Sequence, residues 1–252
     1  DGGAAGADEV SYAKISSGSE FARITLNVDG SATVIGSAGT GGAIGTDTLR
    51  SIEVISGTGT SAGGIGDSFI GFYTGYTLDG GVGSDALDLG ASSSTYTVSL
   101  GLTDGYVRVG ALGSNSMLLK NIERIITSTG NFDDYVYAGT GSTANYIDLG
   151  GQSIEDAVDY GALTSPITAN LATNTVTMTG RVDTLVGVEY LVAGQGNDSI
   201  TGNASDNKLF GGDGLDTLVG AGGKDSLYGE GGGGVANYAA YVGSTPITAT
   251  LI

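Results

Sequence analysis

Three observations predict an all-β chain assembled from many short stacked strands, with β-hairpins inserted at intervals. First, residues 193–228 read as four nine-residue lines in one register. Second, 48 of the 252 residues are glycine and only 7% are aromatic. That composition favours a thin, elongated core built strand by strand over a thick globular one. Third, alternating apolar runs joined by Asp-Gly or Asn turns recur along the chain, as a β-hairpin requires.

The four lines are Ala193–Thr201, Gly202–Phe210, Gly211–Val219 and Gly220–Tyr228. One apolar residue recurs near the end of each, at Ile200, Leu209, Leu218 and Leu227. Two residues before it stands a carboxylate or its amide analogue: Asp198, Asn207, Asp216 and Asp225. A nine-residue period suits neither a helix nor a long alternating strand. A glycine turn followed by a three-residue strand fits, with the central apolar side chain pointing inward. A single line buries too little to fold alone, so neighbours must stack. A flexible low-complexity loop would not hold the apolar and acidic positions in one register.

These lines resemble the RTX, or hemolysin-type calcium-binding, nonapeptide G-G-x-G-x-D-x-U-x. The resemblance implies an elongated parallel β-roll or β-helix-like solenoid, in which two lines make one turn and Ca²⁺ sits between turns. Residues 18 apart then lie on adjacent strands roughly 4.8 Å apart, and an oxygen from each reaches one Ca²⁺ at about 2.4 Å. By that resemblance Asp198 pairs with Asp216 and Asn207 with Asp225, while Asp206 stands beside Asn207 as a substitute carboxylate. The main-chain carbonyls of Gly194, Gly196, Gly212 and Gly214 would complete a shell of roughly six or more oxygens. Two bare carboxylates at this spacing repel by roughly 3–4 kcal/mol at an effective dielectric of 20. Without calcium the segment is therefore expected to lose its order.

In chain order, one continuous array divides into modules at 1–84, 85–155 and 156–233, with the start of a fourth at 234–252. Their openings, Asp8-Glu-Val-Ser-Tyr12, Asp85-Ala-Leu-Asp-Leu89, Asp156-Ala-Val-Asp-Tyr160 and Gly234-Val-Ala-Asn-Tyr238, lie 77, 71 and 78 residues apart (85 − 8, 156 − 85, 234 − 156). A hairpin follows each opening. The first runs Ile24–Val28, Asp29-Gly30, Ala32–Ile35; the second runs Tyr96–Leu100, Asp104-Gly105, Tyr106–Val109. The third runs Ile167–Leu171, turns at Asn174 and returns as Val176–Met178; Pro246–Ala249 begins a fourth.

A segment of the form D-T-L-x-x-I-E comes next, at Asp47–Glu53, Met117–Glu123 and Asp183–Glu189. It resembles the linker that leads into nonapeptides, and its Glu is read as part of a strand or short turn rather than as a ligand.

Calcium-type turns close each module. In the first, Phe69, Leu78 and Leu87 are preceded by Asp67, Tyr76 and Asp85, leaving Asp67 with Asp85 as one candidate site. In the second, Val136, Ile147 and Val158 lie 11 apart behind Asp134, Asn145 and Asp156, so Asp134 with Asp156 is a candidate across longer turns. The third module ends at Gly229–Gly234, where glycine replaces the expected Asp and no metal is expected.

Charge narrows the function. With 27 acidic against 9 basic residues and a net charge of −18, cations are natural partners, and neither nucleic acid binding nor membrane insertion is expected. The absence of Cys and His excludes disulfides, thiolate zinc sites and Ser-His triads. Calcium, which takes oxygen ligands, remains the expected cofactor. Paired carboxylates also serve glycosidases, but there they flank one cleft, whereas here they repeat along an array. Lys224 is the basic residue near the G-x-G strings and no G-K-[ST] follows, so a nucleotide site is not expected. The tyrosines fall mainly on strand positions, where cross-strand packing accounts for them more simply than carbohydrate binding.

No stretch approaches the length of a membrane span and no basic n-region stands at the start of the sequence, so neither a membrane span nor a cleavable signal peptide is expected in these residues. RTX-like proteins are typically exported by a type I system that reads a C-terminal signal.

Two functions are expected, neither catalytic in these residues. The first is a calcium-stiffened structural segment of a large secreted bacterial surface protein, an S-layer, fibre or adhesin-like extender. Its partners would be Ca²⁺, copies of itself or cell-surface polysaccharide, and it would lie outside the cell or on its surface. The module pattern running from Asp8 to Ile252 suggests a longer array. The second is the calcium-folded accessory domain of a type I-secreted enzyme or toxin.

Overall fold

The computed structural model describes residues 155–231 without interruption, together with 9–11, 21–26, 31–38, 42–50, 54–56, 67–71, 77–81, 83–89, 96–100, 105–109, 116–127, 133–150 and 235–237. Among these residues there is no helix. Asp8, Asp29-Gly30, Glu53, Tyr76, Asp104 and 246–249, all singled out in the sequence, lie outside them. The chain forms two compact units, Asp1–Phe132 and Asp133–Ile252.

The first unit contains β1 (Glu9–Ser11), β2 (Phe21–Leu26), β3 (Ser31–Ala38), β4 (Gly42–Arg50), β5 (Val54–Ser56) and β6 (Ser68–Ile70). It continues with β7 (Thr77–Asp79), β8 (Ala86–Asp88), β9 (Tyr96–Ser99), β10 (Gly105–Val109), β11 (Ser116–Lys120) and β12 (Arg124–Ile126). Two sheets result, ordered β1-β5-β7-β11-β10-β9 and β4-β3-β2-β6-β8-β12. The three-residue strands pair in parallel, and β6, β7, β8 and β12 each turn one large apolar side chain inward. Ile24, Phe69, Leu87 and Ile125 therefore stack in register, all fully buried.

The second unit contains β13 (Tyr135–Tyr137), β14 (Tyr146–Asp148), β15 (Ala157–Asp159), β16 (Thr168–Asn170), β17 (Thr175–Met178) and β18 (Arg181–Val186). After these come β19 (Tyr190–Val192), β20 (Ser199–Thr201), β21 (Lys208–Phe210), β22 (Thr217–Val219), β23 (Ser226–Tyr228) and β24 (Val235–Asn237). Its sheets run β13-β15-β19-β21-β23 and β14-β18-β17-β16-β20-β22-β24. From β19 onward, successive strands alternate between the two sheets. Two nonapeptide lines thus make one turn, and Ser199 pairs with Thr217 and Lys208 with Ser226, each 18 residues on. This is a parallel β-roll. Val136, Val158, Leu191 and Leu209 line one inner wall and Ala169, Ile200 and Leu218 the other, all buried.

The inserts are wider than hairpins. Ile24 pairs with Val34, Val98 with Val107 and Ala169 with Val176, as the alternating runs predict. Asn174 makes the last of these turns at φ +59°, in the left-handed region that Asn tolerates. The D-T-L segment of each module is a third strand antiparallel to the second: β4 on β3, β11 on β10, β18 on β17. Three strands reverse direction twice, so the chain leaves the insert pointing as it entered. β11 can then pair in parallel with β7, and β18 with β14. A two-strand insert would have reversed the coil.

Candidate metal centre

The residue just before most of the short coil strands carries a carboxylate or amide. Parallel register therefore stacks these residues into columns. In the second unit Tyr135, Ala157, Tyr190, Lys208 and Ser226 are successive partners, so Asp134, Asp156, Glu189, Asn207 and Asp225 stand one above another. On the opposite sheet Asp198 stacks on Asp216, and Asn145 on Asp183. The first unit stacks Asp67, Asp85 and Glu123.

One hydrogen-bond pattern recurs between the coils: the main-chain N–H of a column residue donates to a side-chain oxygen of the next, whereas that of Glu189 turns back to Asp156 O at 3.1 Å. Asp198 N–H reaches Asp216 Oδ1 at 2.9 Å, Asn207 N–H reaches Asp225 Oδ1 at 3.0 Å, and Asp134 N–H reaches Asp156 Oδ1 at 2.9 Å. Asp67 N–H reaches Asp85 Oδ1 at 2.6 Å, and Asp85 N–H reaches Glu123 Oε2 at 3.0 Å. At the last insert Ile167 N–H fills the same role, donating to Asp198 Oδ1 at 2.7 Å. The side chain thus satisfies a main-chain donor that the turn would leave unpaired. Its other oxygen is the unsolved half of the arrangement. Oδ2 of Asp85, Asp156, Asp198 and Asp216 and Oε2 of Glu189 are buried without a hydrogen-bond partner. Each such atom costs about 1–3 kcal/mol or more when charged.

Glycines let the turns close around these carboxylates. A Cβ on Gly211 would stand 2.3 Å from Asp216 Oδ2, and one on Gly220 2.3 Å from Asp225 Oδ2. Between turns, a Cβ on Gly214, whose φ is +139°, would fall 1.7 Å from Gly196 O, and one on Gly212 2.2 Å from Gly194 O. Asp213 ties the same turns together, its N–H donating to Gly194 O at 3.0 Å while its carbonyl accepts from Gly196 N–H at 2.8 Å.

Residues 183–218 and 210–233 match the RTX calcium-binding nonapeptide repeat, in four copies. Residues 183–233 are an RTX repeat array. No curated protein matches the chain.

The columns suit a hard cation. Burial pushes the carboxyls of Asp85 and Asp156 up to about 7, against partial relief from the N–H groups of Asp67 and Asp134; the neighbouring carboxylates add to the rise. Burial likewise raises Asp198, Asp225, Glu123 and Glu189. A divalent ion would reverse that penalty, because it favours the ionised form. Among the described residues no group of three or more His, Cys, Asp or Glu is placed to hold a metal. A cation here would therefore take one or two carboxylates and fill its shell from main-chain carbonyls, a set that fits Ca²⁺.

Most RTX candidates from the sequence fall in these columns: Asp198 with Asp216, Asn207 with Asp225, Asp134 with Asp156, Asp67 with Asp85. Asp206 does not point into the column. It is exposed, and its Oδ1 accepts the Lys224 N–H at 2.7 Å. Sequence reasoning passed over Glu123, Glu189 and Asp183. Their signal was present: each stands two residues before a buried apolar residue (Ile125, Leu191, Leu185), the offset that Asp198 has from Ile200.

On the outer face of the RTX sheet, the rings of Tyr190 and Phe210 stack at 4.8 Å and those of Phe210 and Tyr228 at 4.3 Å, as cross-strand packing predicts. Lys208 and Glu155 form an ion pair beside them.

Proposed function

We propose that this chain is a calcium-dependent structural segment of a large secreted bacterial surface protein of the S-layer, fibre or adhesin-like kind, and that it carries no catalytic residues. The observation behind the reading is the pair Asp198 and Asp216: stacked, buried, each with one oxygen bound to a main-chain N–H and the other without a partner. The same arrangement recurs along the array, which suits a scaffold rather than a single reaction centre.

Asp198, Asp216, Asn207 and Asp225 would hold Ca²⁺ together with the turn carbonyls, and the ion would supply the positive charge the columns lack. Where calcium is scarce the net charge of −18 and the buried carboxylates oppose folding. Where it is roughly millimolar, binding and folding proceed together. Secretion, self-association into sheets or filaments and contact with cell-surface polysaccharide belong to this proposal. Circular dichroism during a calcium titration tests its core: strand signal should rise with Ca²⁺ and fall with chelator. Strand content indifferent to chelator would sink it.

A further inference from the structure

One coil of the second unit already contains a cation. The guanidinium of Arg181, 4% exposed, lies where the turn after β13 meets the column residue of β18. Its Nη1 donates to Gly141 O at 2.6 Å and Gly139 O at 3.3 Å; its Nη2 donates to Ala138 O at 3.3 Å, Gly139 O at 3.4 Å and Asp183 Oδ2 at 2.8 Å. Asp183 Oδ2, the oxygen that Asp198 and Asp216 leave without a partner, also accepts from Tyr160 Oη at 2.9 Å. Its Oδ1 keeps the ladder bond to Asn145 N–H at 2.8 Å.

The charges match as well. A coil with Asp198 and Asp216 has two carboxylates and needs two positive charges, whereas the coil with Asn145 and Asp183 has one carboxylate and one guanidinium. At Arg181 three turn carbonyls and a column carboxylate converge as acceptors on one buried cation. At Arg181's place the other modules have Gly45 and Asn115, so this cation is peculiar to the third module.

We propose that Arg181 is an intramolecular replacement for Ca²⁺, occupying a latent calcium site formed by Asp183 and the carbonyls of Ala138, Gly139 and Gly141. This coil keeps its fold when calcium is withdrawn. Through β18, β17 and β16 it presents a formed edge to β20, where Ile167 N–H meets Asp198. The inference borrows from the calcium reading only the identity of the ion that Arg181 replaces.

Hydrogen–deuterium exchange on the whole chain, in Ca²⁺ and in excess EGTA, tests it. EGTA should speed exchange in 193–228 at least tenfold and leave 138–147 and 181–186 within about twofold. Equal loss of protection in both regions overturns the inference. An unresponsive 193–228 instead defeats the calcium reading, and Arg181 is then judged by substitution alone. Arg181→Ala should make 138–147 lose protection in EGTA and raise the calcium stoichiometry in isothermal titration by one; unchanged protection in EGTA overturns the proposal. If Arg181→Ala fails to fold, the double variant Arg181→Ala/Asn145→Asp restores a two-carboxylate coil. It should fold in Ca²⁺ with one ion more than the parent, and failure to gain that ion counts against the latent site.

Discussion

Two coils of the second unit, Asn145 over Asp183 and Asp198 over Asp216, share a parallel register and nearly identical ladder bonds of 2.8 and 2.9 Å. They differ in how the carboxylate is neutralised. At Asp183 the second oxygen is bound by Arg181 and Tyr160; at Asp198 and Asp216 it has no partner. The ladder therefore fixes the need for a buried carboxylate, while the source of the compensating charge is free to vary. On the proposed reading, a coil with its own guanidinium folds by itself and a coil without one waits for an ion.

Substitutions can break or sharpen this contrast. The largest effect is expected from Asp198→Ala with Asp216→Ala, which should cut calcium affinity at least 100-fold by isothermal titration and leave 193–228 unprotected, with 138–147 unaltered. Leu218→Ala and Leu185→Ala each remove a buried side chain and should each cost about 2–4 kcal/mol. Chemical denaturation should show the Leu185 loss with and without Ca²⁺, and the Leu218 loss in Ca²⁺ alone.

Gly214→Ala should cost about 3 kcal/mol, since its Cβ would fall on Gly196 O. Gly180→Ala, at φ +77° but with nothing within 4 Å, should cost only about 1 kcal/mol.

Acid should partly stand in for calcium. Asp156 moves from 3.8 to about 7 on folding, so between those values the folded chain holds the extra proton. In EGTA this stabilisation is complete below the lower value and lost as pH rises past the upper one. Melting midpoints should therefore rise as pH falls across that window in EGTA. A gain rather than a loss is expected from Asn207→Asp, which adds a carboxylate above Asp225 and should tighten one calcium site by about tenfold, read in the same titration.

The nonapeptide coils were legible because turn, carboxylate and inward side chain sit at fixed spacing, so Ile200, Leu209 and Leu218 announce both wall and register. The inserts were half legible. Alternation marked β2, β3, β16 and β17, and the Asp47-Thr-Leu and Asp183-Thr-Leu segments read as a strand or short turn, but nothing local says that this strand must pair antiparallel with the one before it to restore direction. Glu123 and Glu189 reach the columns from the end of an insert rather than from a glycine turn, and without that turn the spacing rule had no anchor. Arg181 could not be read at all. Its carbonyl partners lie about 40 residues upstream, a separation fixed by the roll and not by any motif.

The ladder bonds all run one way, from the amide of the earlier coil to the side chain of the later one. Each column thus has a sense, as a magnet has poles.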